Sequence, residues 1–192
     1  MMTALFTLLD LDEPAYLLNG RLLPAEAGTV QVATGPDAVV SYPAPFRPVL
    51  RYFSRLRTRS EASLAGRGLD FDADDVAALR RAGVLWTLEP GTDSGIIDQL
   101  SRIRVHLIGP PAPEQNRPGF VVLQADDGKV APISEAGYGL LRAIAGRELG
   151  PSVEQVAQSA GVPPLDVWRG LLPDLTLLLR TGTAVVVQED RP

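Results

Sequence analysis

The chain has 192 residues, of which 45% are hydrophobic, with a formal net charge of −5 and no cysteine. This hydrophobic content supports packed cores and excludes global disorder, and the lack of cysteine excludes disulfides, thiolate-bound metal sites and thiol nucleophiles. No run approaches the roughly 18 apolar residues of a membrane span, and the N-terminus lacks the basic flank of a signal peptide. We therefore expect a soluble, cytoplasmic protein with no membrane partner.

The charges are unevenly distributed. Of the 18 basic residues only Lys129 is a lysine, and arginines concentrate between Arg47 and Arg59. The acidic overall balance is the opposite of that in most nucleic-acid-binding proteins, so we do not expect nucleic acid as a partner.

The first part of the chain is predicted to contain short strands. An Asn-Gly pair lies between apolar runs in residues 15–23, which predicts a tight hairpin or a bent strand. Residues 29–33 and 38–42 are rich in β-branched residues and predict two further strands, separated by the breaker Gly35-Pro36-Asp37.

Three helices are predicted next. The first spans residues 46–56, with apolar spacing on one face and Arg47, Arg51 and Arg55 every four residues on another. A second is weak and spans residues 60–66, with Ser60 as its cap. The third begins at the N-cap Asp72 and ends at Gly83, before a strand over residues 84–86.

Residues 90–101 are predicted to be a linker that could contain a short helix. After it, predicted strands and helices recur in the same order as in the first part of the chain. Strands are predicted over residues 102–108, 120–124 and 129–133, the last two joined by an Asp-Asp-Gly turn. Ser134 and Ser152 are predicted to cap the first and second helices of this half. A long third helix is predicted to start at Pro164 and to be kinked at Pro173. Residues 184–188 are predicted to form the last strand.

This repetition favours an α+β fold of two tandem winged-helix-like units, each a small antiparallel sheet with three helices. The units would span residues 1–89 and 102–192, and Asp75-Val76 would correspond to Asp166-Val167. A single mixed α+β domain remains the alternative.

The second half resembles the PqqD-like family, the peptide-recognition elements (RiPP recognition elements) of ribosomal-peptide modification pathways. The resemblance is clearest over residues 120–187, in the segments ISEAGYGLLRAIAG and SVEQVAQSAGVPPLDVWRGLL. It implies that a precursor's leader peptide adds a strand to the third strand of a unit and packs between that strand and the third helix. Carried onto this sequence, the resemblance implies these peptide- or partner-binding residues: Val39, Val40, Ser41, Tyr42, Val76, Leu79 and Arg80 in the first half, and Val130, Trp168 and Leu171 in the second.

Two features favour the groove of the first half. Pro132 lies inside the corresponding strand of the second half and lacks a hydrogen-bond donor, which weakens strand addition there. The first half also carries the stripe of Arg47, Arg51 and Arg55, continued by Arg57 and Arg59, which suits the acidic leader peptides that the resemblance implies. The alternative for the stripe is a solvated helix face, and for Trp168 a core position.

No catalytic or metal-binding pattern is found. His106 is the only histidine, so no serine has a credible base and no ordinary zinc site can form. The aspartates at 70, 72, 74 and 75 lack the glycine and closing glutamate of a calcium loop, and capping explains them better. We therefore expect a non-enzymatic protein without cofactor or metal.

The sequence thus predicts an adaptor that binds a precursor peptide and docks a peptide-modifying enzyme as a hetero-oligomer. Two alternatives stay open. A winged-helix transcription regulator would need a more basic third helix than PPLDVWRGLLPDLTLLLR. An accessory subunit that only stabilises a partner enzyme would use the arginine stripe or this leucine-rich helix as its docking face.

Overall fold

A computed structural model describes residues 12–23, 28–34, 38–108, 111, 118–125 and 128–188. The described chain is a mixed α and β fold in which helices pack on small antiparallel sheets. The breaker Gly35-Pro36-Asp37 and the Asp126-Asp127 pair of the second predicted turn lie outside the described residues.

In the described residues of the first half, four short strands precede the helices. Its strands are β1 (Ala15–Leu18), β2 (Arg21–Leu22), β3 (Thr29–Ala33), β4 (Val39–Pro43), β5 (Arg57–Thr58) and β6 (Leu85–Leu88). Its helices are α1 (Arg47–Tyr52), α2 (Arg59–Leu69) and α3 (Ala73–Arg81). The strands form two sheets, in the orders β5-β1-β6 and β2-β3-β4.

The Asn-Gly pair makes a bend and not a hairpin. Residues on its two sides belong to different sheets, because β1 pairs with β5 and β6 whereas β2 pairs with β3. Gly20 has a φ of 118°, and a Cβ there would overlap the carbonyl oxygen of Ala33. Only glycine fits this bend.

The helices of the first half differ in part from prediction. The first was expected over residues 46–56 but ends at Tyr52, so Arg55 lies beyond it and not on the predicted helix face. Thr58, and not Ser60, caps α2, in a capping box with Glu61. Asp72 caps α3 as predicted, and Asp75 completes its capping box. The carboxylates of Asp72 and Asp75 thus accept backbone N–H groups at the start of α3, which agrees with their interpretation as capping residues.

The second half has the following elements: α4 (Asp93–Ser101), β7 (Arg104–Leu107), β8 (Phe120–Gln124), β9 (Val130–Ser134), α5 (Glu135–Ile144), α6 (Leu149–Ala160), α7 (Pro164–Thr181) and β10 (Ala184–Val187). Ser134 caps α5 by accepting the N–H of Gly137, as predicted. Ser152 is not a cap, because α6 already begins at Leu149, and its hydroxyl donates to the carbonyl of Glu148 instead.

Residues 90–101, expected as a linker, contribute a packed helix. Ile96 and Leu100 of α4 are buried in the same apolar cluster as Leu141 and Leu171 of the second half. Their spacing of four residues places both side chains on one helix face. Helix α4 is therefore packed in the core and is not a linker.

The same pattern of pairing occurs twice. β1 pairs with β6, and β7 pairs with β10, so in each half the first strand meets the last in antiparallel register. Each half also has a β-hairpin, β3–β4 and β8–β9, immediately before its helices.

Individual backbone hydrogen bonds also recur at equivalent places in the two halves. The N–H of Arg59, the first residue of α2, donates to the carbonyl of Pro14, and that of Leu149, the first residue of α6, donates to that of Ile103. After the last helix of each half, Val84 donates to Leu79 and Thr183 to Leu178. A shared local geometry therefore holds the start and the end of each half.

The sheet of β1 and β6 lies between two apolar clusters. Ala15 and Leu17 belong to the cluster that includes the second half, whereas Tyr16 and Leu18 belong to the cluster formed by β3, α1, α2 and α3. All residues of β1 are buried for this reason. A strand covered on both faces carries no alternation of polar side chains, which matches its sequence AYLL.

Backbone contacts also join the two halves. The N–H of Gly20 donates to the carbonyl of Val186 at 2.8 Å, and that of Leu56 donates to the carbonyl of Leu179 at 3.0 Å. Asn19 forms a parallel bridge with Val186. These contacts bring the bend after β1 next to β10.

Candidate functional site

Strand β4 has an open backbone edge. The N–H of Thr34 donates to the carbonyl of Ala38, so in this register Val40 and Tyr42 direct their backbone groups to β3. The backbone groups of Val39 and Ser41, and the carbonyl of the donorless Pro43, face away from the sheet. Among the described residues no strand pairs with that side of β4.

The side chains of β4 alternate between solvent and core. Val39 is 52% exposed, and Ser41 is also exposed. Val40 and Tyr42 pack against the first-half cluster, and the Tyr42 ring stacks on Phe46 with ring centroids 5.7 Å apart. Burial raises the pKa of the Tyr42 hydroxyl above its usual value. Val39 and Ser41 therefore offer outward-facing backbone groups, whereas Val40 and Tyr42 contact the core.

The predicted residues of α3 lie in a different place. Leu79 is buried in the first-half core, while Val76 and Arg80 line a cleft of about 850 Å³ between α2 and α3. Arg80 lies over the ring of Tyr16, 5.8 Å from its centroid, and its Nη2 is 3.6 Å from the Glu89 carboxylate. No residue of β4 lines this cleft in the part of the chain described.

The arginine stripe lines a second cleft, between the two halves. This cleft of about 640 Å³ is bounded by β2, α1 and the segment from the end of α7 into β10. Five arginines line it, none of its lining residues in the described ranges is acidic, and we call it the arginine cleft: Arg21, Arg47, Arg51, Arg55 and Arg57. Arg59, the last residue predicted for the stripe, lines the cleft between α2 and α3 instead.

Two of these arginines contact their surroundings. Arg57 lies 4.7 Å from the centroid of the Tyr52 ring, and its Nη1 is 3.9 Å from a Glu61 carboxylate oxygen. Burial raises the pKa of the Tyr52 hydroxyl, and Arg57 opposes this effect. The Arg55 side chain lies against Gly182 at the end of α7, where a Cβ would be 3.1 Å from its Cγ. Arg55 thus contributes to the contact between the halves.

The corresponding residues of the second half are mostly buried. Trp168 is 4% and Leu171 is 1% exposed, and both belong to the core, whereas Val130 of β9 is 40% exposed. The N–H of Ala125 donates to the carbonyl of Lys129, so Pro132 takes a position facing away from β8. Its missing donor falls on the edge of β9 that faces away from β8, as expected from the sequence.

Other chemical features are few. Among the described residues no group of three or more His, Asp or Glu side chains could hold a metal ion. His106 is exposed on β7 and lies against Gly146. No helix within the described ranges is long and apolar enough to cross a membrane.

Arg21 is the lining residue that sequence reasoning missed. It lies on β2, outside the four-residue spacing of the stripe, and joins the arginines of α1 only because β2 passes beside α1. The role of Asn19 at the junction was missed for the same reason, since its partners are distant in sequence.

Comparison of the chain with protein-family models, with curated proteins and with solved structures finds no match.

Proposed function

We propose that this chain is a non-catalytic adaptor of two winged-helix-like units that binds a precursor peptide along β4 and docks the enzyme that modifies it. The twice-repeated pairing of first and last strands, each with a hairpin before the helices, supports the tandem units. The PqqD-like resemblance supports the peptide-binding role.

The observation that carries this proposal is the open, uncharged edge of β4. Its sequence VVSYP holds no charged residue, although exposed edge strands are commonly protected by charges. An added strand can bond to both backbone groups of Val39 and Ser41 and to the carbonyl of Pro43. These main-chain bonds supply affinity, and the neighbouring side chains supply specificity.

The second half offers a poorer edge. Pro132 removes a donor there, and α7 packs on β9, where the Asp174 carboxylate accepts both the N–H and the hydroxyl of Ser134. One peptide is therefore expected per chain, on the first half.

The test uses a displayed library of random peptides selected on the wild-type protein. The strongest binder is then measured against Ser41→Pro, which removes one outward donor, and against Ser41→Ala, which keeps it. Pro43 already occupies an outward position in the same strand, so a second proline there is compatible with the fold. We expect Ser41→Pro to weaken binding by about 10-fold or more and Ser41→Ala to leave it unchanged.

A second arm uses the peptide itself. N-methylation of alternate backbone amides removes donors on one edge of the peptide strand, so one of the two methylated series should lose binding. Equal binding of both series, or of Ser41→Pro and wild type, would refute strand addition at β4.

A further inference from the structure

We propose that the arginine cleft binds an acidic polypeptide segment, in which carboxylate side chains alternate with apolar ones. This surface is separate from the edge of β4, and the inference holds whether or not a peptide binds there.

The charge of the cleft is the first argument. Five arginines line one cleft in a chain whose net charge is −5, and none of the described lining residues is acidic. Like charges gathered around one cleft repel each other, and low-dielectric walls concentrate their field. An anionic ligand removes this repulsion, so the arrangement favours one.

The individual arginines divide into two groups. Arg55 and Arg57 already contact the chain itself, at Gly182 and at Tyr52 with Glu61. For Arg21, Arg47 and Arg51 no acidic side chain within the described ranges lies within ion-pair distance. These three arginines are the ones we assign to the ligand. Guanidinium groups bind carboxylates through two parallel hydrogen bonds, which gives direction as well as charge.

The lining also has an apolar part. Leu22 and Leu23 of the β2 region and Ile108, which is 38% exposed, border the same cleft as the arginines. A bare polyanion gains nothing from these side chains, whereas a peptide with alternating acidic and apolar residues uses both kinds of surface.

The size of the cleft favours a peptide over nucleic acid. A volume of about 640 Å³ between walls from both halves holds a few side chains, and its described lining gives no long basic face for a phosphate backbone. The negative net charge of the chain also opposes a long polyanion.

Because the walls come from both halves, the ligand would bridge them. Arg47 and Arg51 of α1 form one wall, and Thr181, Gly182 and Val185 form the other. A segment bound there contacts both walls at once and stabilises their junction, so the unfolding temperature should rise with the logarithm of 1 + [L]/Kd, where [L] is the free concentration of the segment.

The experiment measures fluorescence anisotropy with a labelled synthetic peptide that alternates Glu and Leu, and with the same peptide carrying Gln for Glu. We expect the Glu peptide to bind at least 10-fold more tightly than the Gln peptide. The variant Arg47→Glu with Arg51→Glu should lose this preference, and the milder pair Arg47→Gln with Arg51→Gln should weaken it. The control is Arg81→Glu with Arg142→Glu, which makes the same charge change at exposed positions outside the cleft. Circular dichroism verifies that each variant is folded.

Three outcomes would overturn the inference. These are equal affinity for the Glu and Gln peptides, an equal loss in the control variant, and displacement of the Glu peptide by duplex DNA at lower concentration than by unlabelled peptide. Ser41→Pro should bind the Glu peptide as wild type does, so a failure at β4 and a failure at the arginine cleft are distinguishable.

Discussion

The side chain of Asn19 holds the backbone of Gln188 at the junction of the two halves. Its Oδ1 accepts the N–H of Gln188 at 2.7 Å, and its Nδ2 donates to the carbonyl of Gly83 at 2.9 Å. Asn19 is 7% exposed, so these bonds are made largely away from water. The amide therefore joins the bend after β1, the turn before β6 and the end of β10.

Replacement of Asn19 by Ala should lower the free energy of unfolding by about 1–3 kcal/mol, because the backbone groups of Gly83 and Gln188 lose their partner. Urea unfolding followed by circular dichroism measures this change. Gln99→Ala is the control. The Gln99 side-chain amide also both accepts a backbone N–H and donates to a backbone carbonyl, those of Glu89, but these two hydrogen bonds are exposed. A cost for Asn19→Ala no larger than that for Gln99→Ala would contradict the structural role of the junction.

The close approach of α5 to α7 should make Gly137 costly to replace. A Cβ at Gly137 would overlap Oδ2 of Asp174, which accepts the hydroxyl of Ser134 at 2.6 Å. We expect Gly137→Ala to destabilise the protein by about 1–3 kcal/mol. Gly139→Ala, on the same helix with open space around it, should instead stabilise by about 0.5–1 kcal/mol.

A double-mutant cycle tests that specific contact. Removal of the carboxylate by Asp174→Ala makes room for the new methyl group, so the cost of Gly137→Ala with Asp174→Ala should be less than the sum of the single costs. Additive costs would show that the two side chains do not meet.

Trp168 should act as a core residue and not as an anchor for a peptide. Because it is 4% exposed within the larger apolar cluster, Trp168→Ala should cost about 3–5 kcal/mol of stability. Leu165→Ala, at a position on the same helix that is 43% exposed, should change stability by less than about 0.5 kcal/mol. If Trp168→Phe remained stable but lost affinity for the selected peptide, the anchor role would be supported instead.

Glu13 should contribute a small, pH-dependent part of the stability. Its carboxylate accepts the hydroxyl of Ser60 at 2.8 Å and the N–H of Ser60 at 3.1 Å. Hydrogen bonds from Ser60 first, and then from Thr58, lower the pKa of Glu13 below its usual value of 4.5. The unfolded state then binds more protons in acid, so this stabilisation is present above pH 4.5 and is lost as the pH falls through the folded-state pKa.

The test for Glu13 compares the free energies of unfolding of wild type and Glu13→Gln across this pH range. The difference should be largest near neutral pH and should vanish in acid; it should be small because these hydrogen bonds are made at the exposed surface. Glu154→Gln on α6 controls for the loss of one carboxylate. A difference that does not vary with pH would argue against these hydrogen bonds.

Several elements could be predicted from local patterns alone. The strand at residues 29–33, the caps Asp72 and Ser134, and the turn at Gly182 each depend on residues within a few positions of one another. The Asn-Gly pair was ambiguous, because the same φ > 0 glycine serves a hairpin or a bend, and only the pairing partners of β1 and β2 distinguish the two.

The candidate site was predictable only in its parts. The four-residue spacing of Arg47, Arg51 and Arg55 predicts a stripe on one face of a helix over residues 46–56, and the β-branched content of residues 38–42 predicts a strand. Because α1 ends at Tyr52, only Arg47 and Arg51 of this stripe lie on the helix. Their arrangement was not predictable, since the single groove expected between β4 and α3 is replaced by separate surfaces: the edge of β4, the cleft between α2 and α3, and the arginine cleft. Which helix faces which strand depends on how the two cores pack.

The sequence by itself determined the α+β class and the order of most strands and helices, because hydrophobic period, capping and turn residues act over a few positions. It did not predict the short strand β5, the end of α1 or the start of α6. The tertiary structure decided that β1 is covered on both faces, that Asn19 meets Gln188, and that Arg21 joins the stripe of α1. These contacts join residues far apart in the chain, and they form only when the burial of two apolar clusters brings the halves together.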